Sequence, residues 1–146
     1  WQNKFVHFGI TEDRLLLAGN IDEQAKYLML YDHIDIALDP FPFNGAITTF
    51  EALAMGVPVV AMTGKHFVDR VAGSILQEAG LDHLIADTPR TYINAAQNLA
   101  ENLSELRLLR NSLRDRLTSS SLCDASQYAQ NIEIAYREMW RRWCAK

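Results

Sequence analysis

Cysteine is scarce in this sequence of 146 residues, and its scarcity excludes two kinds of stabilisation. Only Cys123 and Cys144 are present, and neither belongs to a CxxC pair. The four histidines also lack the HxxxH spacing of zinc enzymes. The sequence therefore predicts neither a disulfide framework nor a metal site. We expect a reducing, cytoplasmic location.

Positive charge and long apolar runs are also in short supply. The chain has 14 Lys and Arg against 18 Asp and Glu, a net charge of −4, so it lacks the basic field typical of nucleic-acid-binding proteins. No apolar run approaches the roughly 20 residues that cross a bilayer, and no signal peptide is recognisable. We expect neither a nucleic-acid partner nor a membrane span. Because Trp1 stands where an initiator methionine is usual, we expect the chain to be part of a longer protein.

Hydrophobic residues make up 49% of the chain, enough for the core of one domain. Four apolar runs of strand length alternate with stretches of helical apolar spacing. The predicted strands are 14–18, 33–38, 58–62 and 83–86, and the predicted helices between them are 21–31, 48–55 and 67–79. Parallel neighbours need a crossover, and helices usually provide it, so this alternation predicts an α/β fold with a parallel sheet.

Beyond residue 90 the pattern predicts a helical tail without strands, with helices over 91–103, 105–117 and 124–143. The second of these has a leucine face that should pack on the body and an arginine row that should face solvent. The leucines are Leu106, Leu109, Leu113 and Leu117, and the arginines are Arg107, Arg110, Arg114 and Arg116. In the last helix, we expect Met139, Trp140 and Trp143 to pack on the body or on a domain outside this chain.

The segment richest in chemistry, residues 39–58, joins a strand end to a helix start. In open parallel sheets, ligands bind outside the carboxyl ends of the strands, where the next helix presents free N–H groups and a partial positive charge. Gly45 permits a close approach of backbone to ligand, and the hydroxyls of Thr48 and Thr49 can bind phosphate oxygens. Glu51, one turn later, can accept hydrogen bonds from a ribose diol.

The same residues have a structural interpretation. Asn44 and Thr48 can cap a helix, and Glu51, three positions after Thr48, can complete a capping box. Pro40 and Pro42 can stiffen a surface loop. Local chemistry alone slightly favours the cap, so the wider pattern has to decide.

That wider pattern consists of DIALDPFPFNG at 35–45, TTFEAL at 48–53 and MGVPVV at 55–60. Further matching residues are Gly64, Arg70-Val71-Ala72, Ser74, Tyr92 and the pair Met139-Trp140. Together they resemble the carboxyl-terminal catalytic region of the O-linked N-acetylglucosamine transferase family, glycosyltransferase family 41. The resemblance is greatest to bacterial members that are fused to tetratricopeptide repeats, and it covers nearly the whole chain.

The resemblance implies a GT-B fold, in which two Rossmann-like domains flank a cleft. Residues 1–146 would be a partial second domain, the one that binds the nucleotide sugar, with 90–146 as its helical tail. A first catalytic domain and repeats would lie upstream. The implied reaction is an inverting transfer of a sugar, N-acetylglucosamine, from a uridine-diphosphate (UDP) donor to protein serine or threonine, with no further cofactor.

The resemblance also assigns roles to residues of the donor site. Thr48 and Thr49 would bind the diphosphate and Glu51 the ribose, beside Asn44 and Gly45. The family's acceptor-side residues belong to upstream segments, so no catalytic residue is assigned here.

Two positions depart from the family pattern. Ile47 replaces a third threonine, and Tyr27 replaces a histidine near the uracil; Tyr27 can stack on the base or belong to the core. Arg70 can bind the donor or be structural. These departures leave open a GT-B enzyme with another donor or with an asparagine or lipid acceptor, and a non-catalytic scaffold that has lost donor binding.

Overall fold

The computed structural model describes residues 2–145, which form an α/β fold around a small parallel sheet. The strands are β1 (Ala37–Leu38), β2 (Val59–Met62) and β3 (Ile85–Ala86), in the order β1-β2-β3. Ala37 pairs with Val59 and Ala61 pairs with Ile85, so β2 lies in the middle. The prediction of a parallel sheet is confirmed, and the carboxyl ends of its strands share one edge.

Seven α-helices surround or extend from this sheet within the described residues. They are α1 (Gln2–His7), α2 (Gln24–Met29), α3 (Ile47–Ala54), α4 (Val71–Glu78), α5 (Pro89–Glu101), α6 (Leu103–Ser119) and α7 (Ala125–Cys144). The chain leaves α3 through Gly56, whose φ of 76° suits a residue without a side chain. α5 begins where Thr88 accepts a hydrogen bond from the Thr91 N–H and Pro89 occupies the first turn.

One predicted strand, 14–18, is wrong. Glu12–Arg14 is instead a short 3-10 helix, and Leu16 beyond it is 87% exposed. A strand needs a neighbour for its backbone groups, and in residues 2–145 the sheet contains only β1, β2 and β3. The predicted helix 21–31 is also shorter than expected, since α2 passes into a 3-10 helix at Leu30–His33.

The core lies where α3, α4 and α6 cover the sheet. Leu53 of α3, Val60 of β2 and Leu76 of α4 are fully buried. The predicted leucine face of α6 is confirmed, because Leu106, Leu113 and Leu117 are buried and Leu109 packs against the core. Removal of one such buried leucine side chain typically costs about 2–5 kcal/mol of stability.

The arginine row of α6 is not simply a solvated face. Arg110 donates hydrogen bonds to the Ile34 carbonyl at 3.0 Å and to the Asp35 carboxylate at 2.6 Å. Arg116 donates to the Gly80 carbonyl at 3.3 Å. Ile34 follows the 3-10 helix Leu30–His33 and Gly80 follows the end of α4, so these arginines donate to carbonyls just beyond two helix ends.

The last helix differs from expectation as well. Met139, Trp140 and Trp143 are exposed, so within the described residues they do not pack on the body. α7 contains no buried residue and continues from the short 3-10 helix Ser121–Cys123. None of the described helices is both long enough and apolar enough to cross a membrane.

Candidate functional site

The loop that follows β1 is built around Asp39, the first residue after the strand. Its N–H donates to the Val60 carbonyl at 2.9 Å and so continues the β1–β2 pairing by one residue. Its carbonyl accepts a hydrogen bond from the Tyr92 hydroxyl of α5. Its Oδ1 accepts the Gly45 N–H at 2.7 Å. Three elements therefore fix Asp39 beneath the loop.

Asn44 closes the loop from the other side. Its Nδ2 donates to the carbonyls of Pro40 and Met62 at 3.3 and 3.2 Å, and its N–H donates to the Val68 carbonyl. The amide of Asn44 thus joins the loop to the end of β2.

This geometry shows that the capping interpretation of Asn44, Thr48 and Glu51 is wrong. The residue that precedes α3 is Ala46, and no side chain caps the helix. Asn44 is not available because its amide is turned toward β2. Since the first N–H groups of a helix have no intrahelical acceptor, the start of α3 retains free donors and the positive end of its dipole.

Gly45 lies where three oxygens converge. A Cβ on this residue would lie 2.5 Å from Thr48 Oγ1 and 2.9 Å from both Asp39 Oδ1 and Thr49 Oγ1. No side chain fits at these distances, so glycine is required by close approach rather than by an unusual φ. The two hydroxyls and the carboxyl are gathered around one point of the backbone.

Three buried oxygens of this cluster have no hydrogen-bond partner among the described residues. They are Asp39 Oδ2, Asn44 Oδ1 and Thr49 Oγ1, whose residues are 6%, 4% and 2% exposed. Buried polar atoms are normally satisfied, so such a group in one loop indicates a ligand or ordered water. Asp39, Thr48 and Thr49 also line a cavity of about 210 Å³ together with Tyr31.

Burial raises the pKa of three titratable groups around this cavity. Burial raises the pKa of the Asp39 carboxyl, although the Gly45 N–H and the Asn44 amide oppose the rise. Burial, the Tyr27 hydroxyl and the charge of Glu51 raise the pKa of Tyr31. Burial and the charge of Asp39 raise the pKa of Tyr92. Both phenols therefore stay hydrogen-bond donors at neutral pH, and the arrangement can bind an anion at an uncapped helix start.

Comparison with known proteins identifies the family. Residues 2–132 match the model of glycosyl transferase family 41. The chain belongs to this family. It is 38% identical to the solved Thermobaculum terrenum O-GlcNAc transferase mutant, with a TM-score of 0.90 over 99% of this chain and 28% of that chain.

Curated relatives agree with this family assignment. A probable UDP-N-acetylglucosamine–peptide N-acetylglucosaminyltransferase SPINDLY of Solanum lycopersicum is 42% identical over 136 residues, which is 93% of this chain and 15% of the relative. A UDP-N-acetylglucosamine–peptide N-acetylglucosaminyltransferase of Caenorhabditis elegans is 29% identical over 138 residues, which is 94% of this chain and 12% of the relative. The chain thus spans a small part of these family-41 proteins.

The two positions predicted to depart from the family pattern lie in different surroundings. Ile47 is the first residue of α3 and is 75% exposed, beside the Thr48 and Thr49 hydroxyls. Tyr27 is half-buried against the core, and its ring meets Tyr31 edge-on at a centroid distance of 6.0 Å. Its role toward a base remains a prediction.

The remaining predicted residues are Glu51 and Arg70. Glu51 is half-buried one turn into α3 and acts on Tyr31 through its charge. Arg70 is exposed at the start of α4, and its carbonyl accepts a hydrogen bond from the Ser74 hydroxyl at 3.1 Å. Arg70 lines a separate cavity of about 230 Å³, so the structure does not bring it into the cavity of Thr48 and Thr49.

Sequence reasoning missed Asp39, Tyr31 and Tyr92 as parts of this site. An acid directly after a buried strand was the available signal for Asp39. Tyr31 lies four residues after Tyr27, and the two hydroxyls are 3.3 Å apart. Tyr92 gave no local signal, because its partner Asp39 is 53 positions away. Within residues 2–145, no cluster of His, Cys, Asp or Glu suits a metal ion, and both cysteines are free and exposed.

Proposed function

We propose that this chain is the donor-binding part of a glycosyltransferase that moves N-acetylglucosamine from UDP-N-acetylglucosamine to serine or threonine of proteins. The observation that carries the proposal is the set of buried, unpartnered oxygens of Asp39, Asn44 and Thr49 beside the uncapped start of α3. The names of the relatives, which are UDP-N-acetylglucosamine–peptide N-acetylglucosaminyltransferases, support the choice of donor and acceptor.

The chemistry of the transfer explains why such a site is useful. The acceptor hydroxyl oxygen bonds to the anomeric carbon of the sugar, and the bond from that carbon to the β-phosphate oxygen breaks. UDP leaves with the electron pair, and the hydroxyl proton passes to a base or to water. Negative charge grows on the diphosphate, and the hydroxyls of Thr48 and Thr49 with the free N–H groups of α3 stabilise it. Glu51 accepts hydrogen bonds from the ribose.

The proposal includes the rest of the enzyme. This chain would be the second domain of a GT-B pair, residues 1–146 with 90–146 as its helical tail, preceded by a first catalytic domain and tetratricopeptide repeats in a cytoplasmic protein. The exposed aromatic residues of α7 support a neighbour on that side. The small share of each relative that the chain covers supports further segments.

A binding experiment with side-chain substitutions tests the donor site. We expect Thr49→Val, which keeps the shape but removes the hydroxyl, to weaken binding of UDP-N-acetylglucosamine by about tenfold to hundredfold, since a hydrogen bond to a charged group contributes about 1.5–3 kcal/mol. Glu51→Gln should weaken UDP and uridine binding alike. Thr118→Val is the control, because its hydroxyl donates to the Arg114 and Asp115 carbonyls on the surface of α6.

The same assay separates the alternatives. A panel of nucleotide sugars measured by calorimetry shows whether another donor binds more tightly, which would replace the donor in the proposal. If the enzyme binds UDP-N-acetylglucosamine but transfers the sugar to asparagine or to lipid, that acceptor replaces serine or threonine in the proposal. If no nucleotide binds, or if Thr49→Val leaves every affinity unchanged, the scaffold interpretation replaces the donor site.

A turnover experiment tests the division of labour between this chain and the rest of the enzyme. We expect these 146 residues alone to bind UDP weakly and to transfer no sugar, because none of their side chains has an assigned role toward the acceptor. Robust transfer by this chain alone would show that its own residues supply the acceptor chemistry.

A further inference from the structure

Asp39 poses an electrostatic problem for the proposed donor site. Its carboxyl is buried, and its Oδ1 lies with the Thr48 and Thr49 hydroxyls around the Cβ position of Gly45. An ionised carboxylate at this place would repel the diphosphate that those hydroxyls bind. In a buried site this repulsion is weakly screened, so a charged Asp39 would oppose binding.

An ionised Asp39 would also prevent the Thr49 hydroxyl from donating its proton to the phosphate. A hydroxyl has one proton to donate. If Asp39 is ionised, it is the stronger acceptor and takes that proton through a water between the two side chains, so Thr49 presents only lone pairs to a phosphate oxygen. If Asp39 is neutral, its Oδ2–H donates to that water, the water donates to Thr49 Oγ1, and the Thr49 proton is free for the phosphate.

Geometry favours the neutral form during binding. Oδ1 already accepts the Gly45 N–H, which leaves Oδ2 as the oxygen that carries the proton. Oδ2 and Thr49 Oγ1 are both buried without a partner, and both side chains line the cavity of about 210 Å³. A water occupies about 30 Å³ of liquid volume, so this cavity has room for one that joins the two oxygens.

We propose that Asp39 is a positioning residue that binds the donor in its neutral carboxyl form, so that diphosphate binding takes up one proton at Asp39 and directs the Thr49 hydroxyl to the phosphate. This inference rests on the proposed function of the site. The proton comes from solvent and returns to solvent when the nucleotide leaves. Asp39 itself makes no bond to the reacting sugar.

No cationic side chain of the described residues lies against Asp39, so a charged Asp39 would compete with the diphosphate for the partial positive charge at the start of α3. From α5 it faces the Tyr92 hydroxyl, and from the 3-10 helix after α2 it shares the cavity with Tyr31. From its own loop it meets Asn44 and Gly45, and from α3 it meets only the two threonines. On the side of β2, its neighbour Val60 is apolar. No ion pair to Asp39 is present in the described part of the chain.

The test measures affinity for UDP-N-acetylglucosamine as a function of pH in wild type and Asp39→Asn. This donor is the suitable probe because both of its phosphates are esterified, whereas the terminal phosphate of UDP titrates with a pKa of about 6. Asparagine imitates the neutral acid, since it can accept the Gly45 N–H and donate toward Thr49. Asp82→Asn, which makes the same change at an exposed carboxyl, is the matched control.

We expect the wild-type affinity to fall by up to about tenfold per pH unit above the pKa of Asp39 in the free protein, as linkage to one proton requires. Asp39→Asn should bind with little pH dependence and more tightly than wild type at the upper end of the range. Asp82→Asn should retain the wild-type profile. Uridine binding shows whether Asp39→Asn is folded. We expect it to be unchanged, and its loss would mean that the variant has lost its fold.

The outcomes separate this inference from the proposed function. If wild type binds the donor and Asp39→Asn has the same pH profile, the proton linkage is wrong and the donor site stands. If uridine binding disappears in Asp39→Asn, the variant has lost its fold, and the proton linkage is then tested on the wild type alone. Its proton uptake on binding, measured calorimetrically above the pKa of Asp39 in the free protein and in two buffers of different ionisation enthalpy, then supports the linkage when it approaches one proton and overturns it when it is zero. If wild type binds no donor at any pH, the proposed function and this inference both fail.

Discussion

The hydroxyl of Tyr92 donates a hydrogen bond of 2.9 Å to the backbone carbonyl of Asp39 and so joins α5 to the loop after β1. The helical tail is therefore not an appendage, because its first helix holds the residue on which the candidate site is built. Substitutions in α5 that remove this hydrogen bond should therefore affect the loop after β1.

We expect Tyr92→Phe to lower the free energy of unfolding by about 1 kcal/mol, because the ring remains but the Asp39 carbonyl loses its donor. Urea denaturation followed by circular dichroism measures this loss. Tyr136→Phe on α7 is the control, since that side chain is exposed. Equal stability of the two variants would mean that the bond to Asp39 contributes nothing.

Gly45→Ala should destabilise the protein and weaken donor binding. The new Cβ would lie 2.5 Å from Thr48 Oγ1, so the oxygens around it must move apart. Overpacking of this kind typically costs about 1–3 kcal/mol. Gly19→Ala is a matched control, because a Cβ there meets nothing within 4 Å. Similar unfolding free energies for the two variants would show that the oxygens around Gly45 can move apart without loss of stability.

Arg110 and Arg107 should contribute differently to stability, although both belong to the arginine row of α6. Arg110→Met removes the donor of the Ile34 carbonyl and should cost about 1–3 kcal/mol of unfolding free energy. Arg107→Met, at an exposed position, should stay within about 0.5 kcal/mol of wild type. Asp35→Asn should cost under about 1 kcal/mol, because its side chain is largely exposed. Thermal or urea unfolding that ranks Arg107→Met with Arg110→Met would contradict this assignment.

The parts of the fold that could be predicted are those fixed by local pattern. Helix α3, strand β2 and the leucine face of α6 follow from apolar spacing, since each buries one side of a regular element. The run 14–18 has the same apolar character but no strand neighbour in residues 2–145, and pairing depends on the rest of the chain. Apolar spacing predicts which residues are buried more readily than it predicts which residues form hydrogen bonds with each other.

The candidate site was predictable only in part for a related reason. Gly45 and Thr49 are adjacent in sequence to the helix start they serve, so the pattern found them. Tyr92 and Asp39 meet only through the fold, and the direction of the Asn44 amide depends on the end of β2. The cap interpretation failed at this point, because the same residue types satisfy a helix end or a loop according to tertiary contacts.

Ile47→Thr should strengthen donor binding. Ile47 is exposed at the first residue of α3, where a hydroxyl would join those of Thr48 and Thr49. An added hydrogen bond to a phosphate at a solvent-exposed position should raise the affinity for UDP-N-acetylglucosamine by about threefold to tenfold, which corresponds to the range of an ordinary net hydrogen bond. Ile47→Val keeps the position apolar and serves as the control. Weaker binding by the threonine variant would place Ile47 in contact with the donor.

The stability of the protein should depend on pH through Asp39 even without a ligand. Burial raises the pKa of its carboxyl above its ordinary value, so over a range of pH the folded protein keeps a proton that the unfolded chain has lost. Stability from this group is complete below the unfolded pKa and is lost as pH rises through the folded pKa, with a slope of about 1.4 kcal/mol per pH unit. Asp39→Asn does not titrate, so its unfolding free energy should rise relative to wild type over that range and then stay constant. Urea denaturation of both proteins at several pH values measures the difference, in which the other carboxyls cancel. Parallel curves would mean that Asp39 has the same pKa folded and unfolded, and its burial would then need a compensating donor.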